Sequence, residues 1–277
     1  MSLARQTWGD AARPVELIFI HANGFNGLTY RTLLKPLVGD WRILAPDLRG
    51  HGASPLPYAA APRADWGDML ADLTALIDET AGPPLVMAGH SMGGTLAILA
   101  AAQRPERVRS VVMLDPVILD RTASATMRVP GGWRLARRHP WARAALKRRR
   151  QFDSLEAAIE AYRGRGAFRD WPDSVLKDYV AAGFHPAEEG GVALACSPEW
   201  ESSNYSAQAN DPWGALKRFR GPVRILKAEQ GSTCSVAPAD AGRMKDLSVD
   251  VAPGGTHFFP MIQPDAARAV LRQAMNA

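Results

Sequence analysis

Leu85-Val86-Met87-Ala88-Gly89-His90-Ser91-Met92-Gly93-Gly94 decides how this chain of 277 residues is read. A short apolar run, the mark of a buried strand, breaks into an abrupt turn, and a small-residue helix opening with Thr95-Leu96-Ala97 follows. A serine with glycine two places before and two after it is a nucleophile-elbow pattern, in which the serine stands at the tip of a strained strand-to-helix turn. Side chains at Gly89 and Gly93 would collide there. The turn exposes the Ser91 hydroxyl and aims the positive end of the helix at any charge developing beside it, which suits acyl chemistry. The five-residue pattern alone is common, and its place between strand and helix is what makes Ser91 a candidate nucleophile.

Outward from the elbow, strand and helix alternate. Val15 to Ile20, VELIFI, reads as a buried strand running into His21-Ala22-Asn23-Gly24-Phe25-Asn26-Gly27, a polar loop able to turn N–H groups toward a ligand. Tyr30 to Val38 is expected to be helical and Trp41 to Ala45 a strand, ending at a turn that Asp47 and Arg49 can lock. From Asp65 to Ala81, Trp66, Met69, Leu70, Leu73, Leu76 and Ile77 recur at helical spacing, with Asp65 as the expected N-cap and Gly82-Pro83 as the stop. Arg109 to Leu114 is another strand, ending at Asp115-Pro116. The alternation implies an α/β fold: a mostly parallel twisted sheet with helices on both faces, and a site at the carboxyl ends of its strands. His21, Ser91 and Asp115 lie just past such ends.

The pattern changes after Pro116. Residues 117–210 show helical pieces without strong strands, near Trp133 to Arg150, from Ser154 to Arg163 capped by Asp153, and from Pro172 to Ala182. They are expected to form a helical cap inserted in a core made of 1–116 and 211–277. Some of its aromatic residues (Trp133, Trp141, Phe152, Tyr162, Phe168, Trp171, Phe184) are expected to line an apolar pocket, the rest to pack. The alternation resumes with Asp211-Pro212, a strand at Pro222 to Lys227, a helix at Ala237 to Met244, a strand at Leu247 to Val251 and a terminal amphipathic helix.

Composition narrows the classes. Hydrophobic residues at 47% and charged residues at 22% are those of an ordinary globular protein. No run approaches the roughly 18 apolar residues of a membrane span. The first residues lack the marks of a secretory signal, so the cytoplasm is the expected location. Two cysteines far apart, Cys196 and Cys234, suggest reduced thiols, and neither has a CxxC partner for zinc. The net charge of +5 concentrates in RLARRHPWARAALKRRR, Arg134 to Arg150, read as a solvated helical face rather than a nucleic-acid surface, with contact to an anionic substrate or an acidic membrane surface left open.

In this order, HANGFNG, APDLRGHGASP, GHSMGG and GGTHFFPMIQP resemble the α/β-hydrolase fold superfamily over nearly the whole chain, in its serine hydrolase branch with a helical cap. The set is far more specific than any one motif. The resemblance implies Ser91 as nucleophile, His257 as base, the turn from Asp47 to Ser54 as a structural landmark, and backbone N–H groups of Asn23 and Met92 as the oxyanion hole. It implies no metal or organic cofactor. Serine at the elbow sets aside the branches with aspartate there, the haloalkane dehalogenases and epoxide hydrolases.

A serine hydroxyl is a poor nucleophile until a nearby imidazole takes its proton, and histidine titrates close enough to neutrality to take and return it. Among the other histidines, His90 is read as structural, His21 as a brace of the oxyanion loop, His51 as part of the landmark turn, and His139 and His185 as cap residues. A buried carboxylate should orient the imidazole. The family usually carries it a couple of residues beyond a glycine after the penultimate strand, where this chain reads Lys227-Ala228-Glu229-Gln230-Gly231-Ser232-Thr233-Cys234, without an aspartate. Asp115 is the first candidate, because some members place the acid after the strand that follows the elbow helix. Glu229 is the alternative. The expected activity is cleavage of a carboxylic ester or related acyl bond in a small, fairly apolar molecule through an acyl-enzyme. Acyl transfer, carbon–carbon bond hydrolysis and non-catalytic ligand binding remain open on the same scaffold. No nucleic-acid partner or stable membrane insertion is expected, and the oligomeric state is not readable.

Overall fold

A computed structural model describes residues 2–277 apart from 40, 243 and 245, with the backbone alone at 138. Its main sheet contains β1 (Arg5–Trp8), β2 (Val15–Ile20), β3 (Arg42–Pro46), β4 (Leu85–His90), β5 (Val108–Leu114), β6 (Val223–Gln230) and β7 (Leu247–Thr256). The spatial order is β1-β3-β2-β4-β5-β6-β7. Only the β1–β3 pair is antiparallel; the other neighbours run parallel.

A parallel sheet is covered on both faces, so its central strands are apolar without interruption. All six residues of β4 are buried. Successive side chains still point to opposite faces. Ile18, Ile20 and Met87 therefore join one hydrophobic cluster with the helices Gly67–Glu79 and Met92–Gln103, while Leu17, Phe19, Val86 and Ala88 join the other with the C-terminal helix Pro264–Asn276.

The boundaries differ from expectation where a local hydrogen bond decides them. The elbow helix opens at Met92, immediately after the serine, not at Thr95. The helix expected from Asp65 begins at Gly67, with Trp66 in the cap position, because the Asp65 carboxylate accepts from the Gly67 N–H only two residues on. Ser154, not Asp153, caps the helix Leu155–Tyr162, accepting from the Ala157 N–H. Of the helix expected over Ala237 to Met244, Pro238–Ala241 is helical, and Arg243 lies outside the described residues.

Residues 117–210 are not helical throughout. Gln151–Phe152, Phe184–Pro186 and Val192–Leu194 form a small antiparallel sheet whose hairpin turns through Gly190 and Gly191, both at positive φ. Strands of two or three residues are too short to show an alternating pattern. The edge strand β1 also escapes pattern reading, because RQTW carries a single large apolar side chain. Both cysteines are free and buried, and no helix among the described residues is long and apolar enough to cross a membrane.

Candidate active site

Three strand ends bring distant residues together. β4 delivers Ser91 at φ 56°, ψ −123°, a conformation a non-glycine residue holds only when its surroundings force it. The forcing contacts are glycine contacts. A Cβ on Gly89 would stand 2.4 Å from the Gly93 carbonyl carbon, and one on Gly93 would stand 2.1 Å from the Ile20 carbonyl oxygen. The elbow is thus packed against the end of β2, where the polar loop begins. Asp115, at the end of β5, also has positive φ, 39°, and its carboxylate is fully buried. β7 changes register between Ala252 and Thr256 and leads into His257.

The His257 imidazole lies between the other two. Its Nε2 is 3.1 Å from Ser91 Oγ, and its Nδ1 is 2.6 Å from Asp115 Oδ2. The Nδ1 proton faces the carboxylate, which leaves Nε2 free to accept from the serine hydroxyl. Asp115 also accepts from the Ala228 N–H (2.9 Å), the Ser232 hydroxyl (2.5 Å) and the Thr233 N–H (3.2 Å). Burial pushes its pKa upward, but the His257 bond and charge, with Ser232 and Ala228, outweigh this and hold it at about 2. The anion is therefore kept in a site that would otherwise neutralise it.

Glu229 stands elsewhere. It is exposed near the end of β6, where its Oε2 accepts from the Gly254 N–H at 2.7 Å. The acid beside His257 is Asp115.

The loop after β2 is pinned on several sides. The Ala22 N–H donates to the Tyr30 hydroxyl (3.1 Å), the Ala22 carbonyl accepts from His21 Nδ1 (2.7 Å), and the Gly24 N–H donates to His51 Nε2 (3.1 Å). Between them the Asn23 N–H has no hydrogen-bond partner among the described residues. The Asn23 side chain is occupied, donating to the Glu201 carbonyl (2.9 Å) and accepting from Asn204 (3.0 Å). Met92 opens the elbow helix, so its N–H lies in the first turn, where no intrahelical acceptor exists. Asp47 accepts from the Gly27 and Ala53 N–H groups, while Arg49 grips Asp72 with two bonds; the two lock the landmark turn through separate partners.

Aromatic residues close the surroundings. The Phe25 ring is 5.3 Å from Trp171, 5.6 Å from Tyr179 and 6.3 Å from Phe258, and Trp141 lies 6.0 Å from His257.

Residues 17–270 match the model of the alpha/beta hydrolase family. The chain belongs to the alpha/beta hydrolase family. It is 27% identical to the 2-(acetamidomethylene)succinate hydrolase of Mesorhizobium japonicum over 94% of this chain and 88% of that one. It is 39% identical to lipase LipV of Mycobacterium tuberculosis over 41% of each. The crystal structure of E-2-(acetamidomethylene)succinate hydrolase superposes with a TM-score of 0.79 at 25% identity, covering 99% of this chain and 95% of the other.

Within this alpha/beta hydrolase, some site residues carried no sequence signal. Ser232 and Thr233 follow Gly231 where an acid was sought, and a hydroxyl pair there gives no hint that it serves a carboxylate from another strand. Arg148 sits inside the basic run, yet its side chain is mostly buried and bonded to Glu201 and to the Tyr162 and Tyr179 hydroxyls. A charge run within a helical segment reads as a solvated face; for Arg148 this is corrected, because the Glu201 carboxylate lies in the interior against Gly24.

Proposed function

We propose that this chain is a serine hydrolase that cleaves a carboxylic ester or a similarly activated acyl bond of a small, fairly apolar substrate. The observation that carries the reading is the His257 imidazole set between Ser91 Oγ and the Asp115 carboxylate. Ser91 attacks the carbonyl carbon as His257 Nε2 takes its proton, and Asp115 stabilises the resulting imidazolium. The Asn23 and Met92 N–H groups hold the tetrahedral oxyanion, each contributing roughly 3 kcal/mol to the transition state. His257 returns the proton to the leaving group, and a water then releases the acyl group by the reverse proton path.

Residues 117–210 act as the cap over a core of 1–116 and 211–277. Support comes from the aromatic contacts that Trp171 and Tyr179 make with Phe25, and Trp141 with His257. Rings from both parts then enclose the acyl chain, which favours apolar substrates.

A fluorophosphonate probe tests the reading. It should label Ser91 in the wild type and leave Ser91→Ala unlabelled, and a panel of esters of graded acyl length should be turned over by the wild type alone. A wild type that neither reacts with the probe nor hydrolyses any ester would refute it.

A further inference from the structure

His90 precedes the nucleophile and is fully buried, with both ring nitrogens bonded to groups other than Ser91. Its Nε2 lies 2.8 Å from the carbonyl oxygen of His257. A carbonyl only accepts, so Nε2 carries the ring proton and Nδ1 is left as an acceptor. At Nδ1, 2.8 Å away, is the hydroxyl of Tyr30, itself 1% exposed. The same hydroxyl oxygen accepts from the Ala22 N–H at 3.1 Å. The donors thus run in one direction, from Ala22 N–H to Tyr30 to His90 to the His257 carbonyl. One end is the residue before Asn23, the other is the backbone of His257, and the middle is covalently attached to Ser91.

We propose that Tyr30 and His90 form a hydrogen-bonded strut that fixes the spacing between the oxyanion loop and the His257 loop across the nucleophile, making both of them positioning residues. The inference rests on the hydrolase reading, since it assigns these residues the task of keeping that site in register. Each link depends on the others. If the Tyr30 hydroxyl is removed, the Ala22 N–H loses its acceptor, and Nδ1 loses the donor that fixes the His90 tautomer. A doubly protonated His90 would end the polarity of the chain, and burial, reinforced by the neighbouring His257 charge, keeps the ring neutral. Both side chains are buried, so the loss of the string should disturb alignment rather than binding.

Tyr30→Phe keeps the ring that packs 4.7 Å from Phe19 and deletes only the hydroxyl. It should lower kcat on an ester on the order of tenfold with KM within about twofold, because small misplacements of reacting groups act on the chemical step. His90→Leu should do the same. In a double-mutant cycle the two losses should be markedly less than additive, since either change breaks one string. His90→Gln, whose amide offers one acceptor and one donor, should recover most of the rate that His90→Leu loses, and this pair carries the test if Tyr30→Phe fails to fold. The probe-labelling rate of Ser91 should fall in parallel with kcat. A wild type labelled at Ser91 whose Tyr30→Phe variant keeps kcat within twofold would overturn the strut alone, as would additive losses or a His90→Gln no better than His90→Leu. Absence of labelling in the wild type would instead remove the hydrolase reading and the strut with it.

Discussion

Ser232 Oγ lies 2.5 Å from Asp115 Oδ1, so a hydroxyl in the loop after β6 serves a carboxylate that follows β5. A hydrogen bond to a charged group contributes roughly 1.5 to 3 kcal/mol, part of which stabilises the Asp115 anion beside His257. Ser232→Ala is therefore expected to lower kcat by up to about tenfold and to raise the Asp115 pKa, with KM little changed. Steady-state kinetics across a pH series would detect both; an unchanged rate and acid limb would mean that the hydroxyl is dispensable.

Asp115→Asn should be far more damaging than Glu229→Gln. An amide facing Nδ1 no longer holds the imidazole in the tautomer that leaves Nε2 unprotonated, and the equivalent change in a serine protease triad lowers turnover about 10⁴-fold. Among the described residues Glu229 accepts from the Gly254 N–H on the surface, so its amide should stay within about threefold of wild type. Parallel assays of the two variants on one ester check this, and the reverse ranking would reassign the acid.

How far this site was legible in the sequence depends on how local each feature is. The elbow was readable because Gly89, Ser91 and Gly93 meet their steric requirement within five residues, and His257 because Gly254 and Gly255 stand just before it at the end of the last strand. The acid was ambiguous because the two candidates belong to adjacent strands, and only the sheet order decides which carboxylate reaches the imidazole. Ser232, Thr233 and Tyr30 gave no signal, since a lone hydroxyl is recognisable only by what it faces. The strands at Gln151–Phe152 and Phe184–Pro186 were hidden because they are too short to alternate, and the first also pairs with Val192 and Ala193, some forty residues away.

Acid should weaken the fold in two stages. Burial, reinforced by the His257 charge, lowers His90 to about 3, and burial also lowers His21 and His51. The unfolded chain takes up these protons as pH falls through about 6.5 while the folded chain does not, so stability declines from there, by up to about 1.4 kcal/mol per pH unit for each site. Asp115 acts later. Its folded pKa is depressed, so its contribution is complete above the ordinary carboxylate range near 4 and is lost as pH falls toward 2. Urea denaturation between pH 7 and 4.5 should show the first stage, and His90→Gln should flatten its slope by about 1 kcal/mol per unit. A profile that stays level down to pH 5 would contradict neutral buried histidines.

Gly89→Ala tests the steric basis of the elbow independently of its chemistry. The added methyl meets the Gly93 backbone at 2.4 Å, and neither strand nor helix can retreat without disturbing the sheet. Forcing a methyl into such packing costs about 3 kcal/mol, which for a chain of this size is a drop in Tm of roughly 5 to 10 °C. Activity should fall with it, because the only relief is to turn Ser91 out of its strained conformation. Retained Tm and activity together would show that the turn is not as tight as these contacts make it.

Arg148 and Glu201 provide the last test, this time of the interior formed by residues 117–210. The Arg148 side chain is 17% exposed and the Glu201 side chain 9%, and the ion pair is extended by the Tyr162 and Tyr179 hydroxyls. Such a pair has given up most of its hydration, so removing one member leaves the other charge buried without compensation, at about 3 to 5 kcal/mol. Arg148→Met is expected to lose stability in that range. Glu201→Gln, which keeps an acceptor for Arg148, should lose less, because the cation retains both tyrosine oxygens. The double variant Arg148→Met with Glu201→Leu should recover most of the loss, since two apolar side chains restore packing and leave no charge to neutralise. Urea melts of the three variants give the comparison. A double variant no more stable than Arg148→Met would show that the loss comes from something other than the stranded carboxylate, with the Asn23 contact to the Glu201 backbone as the first place to look.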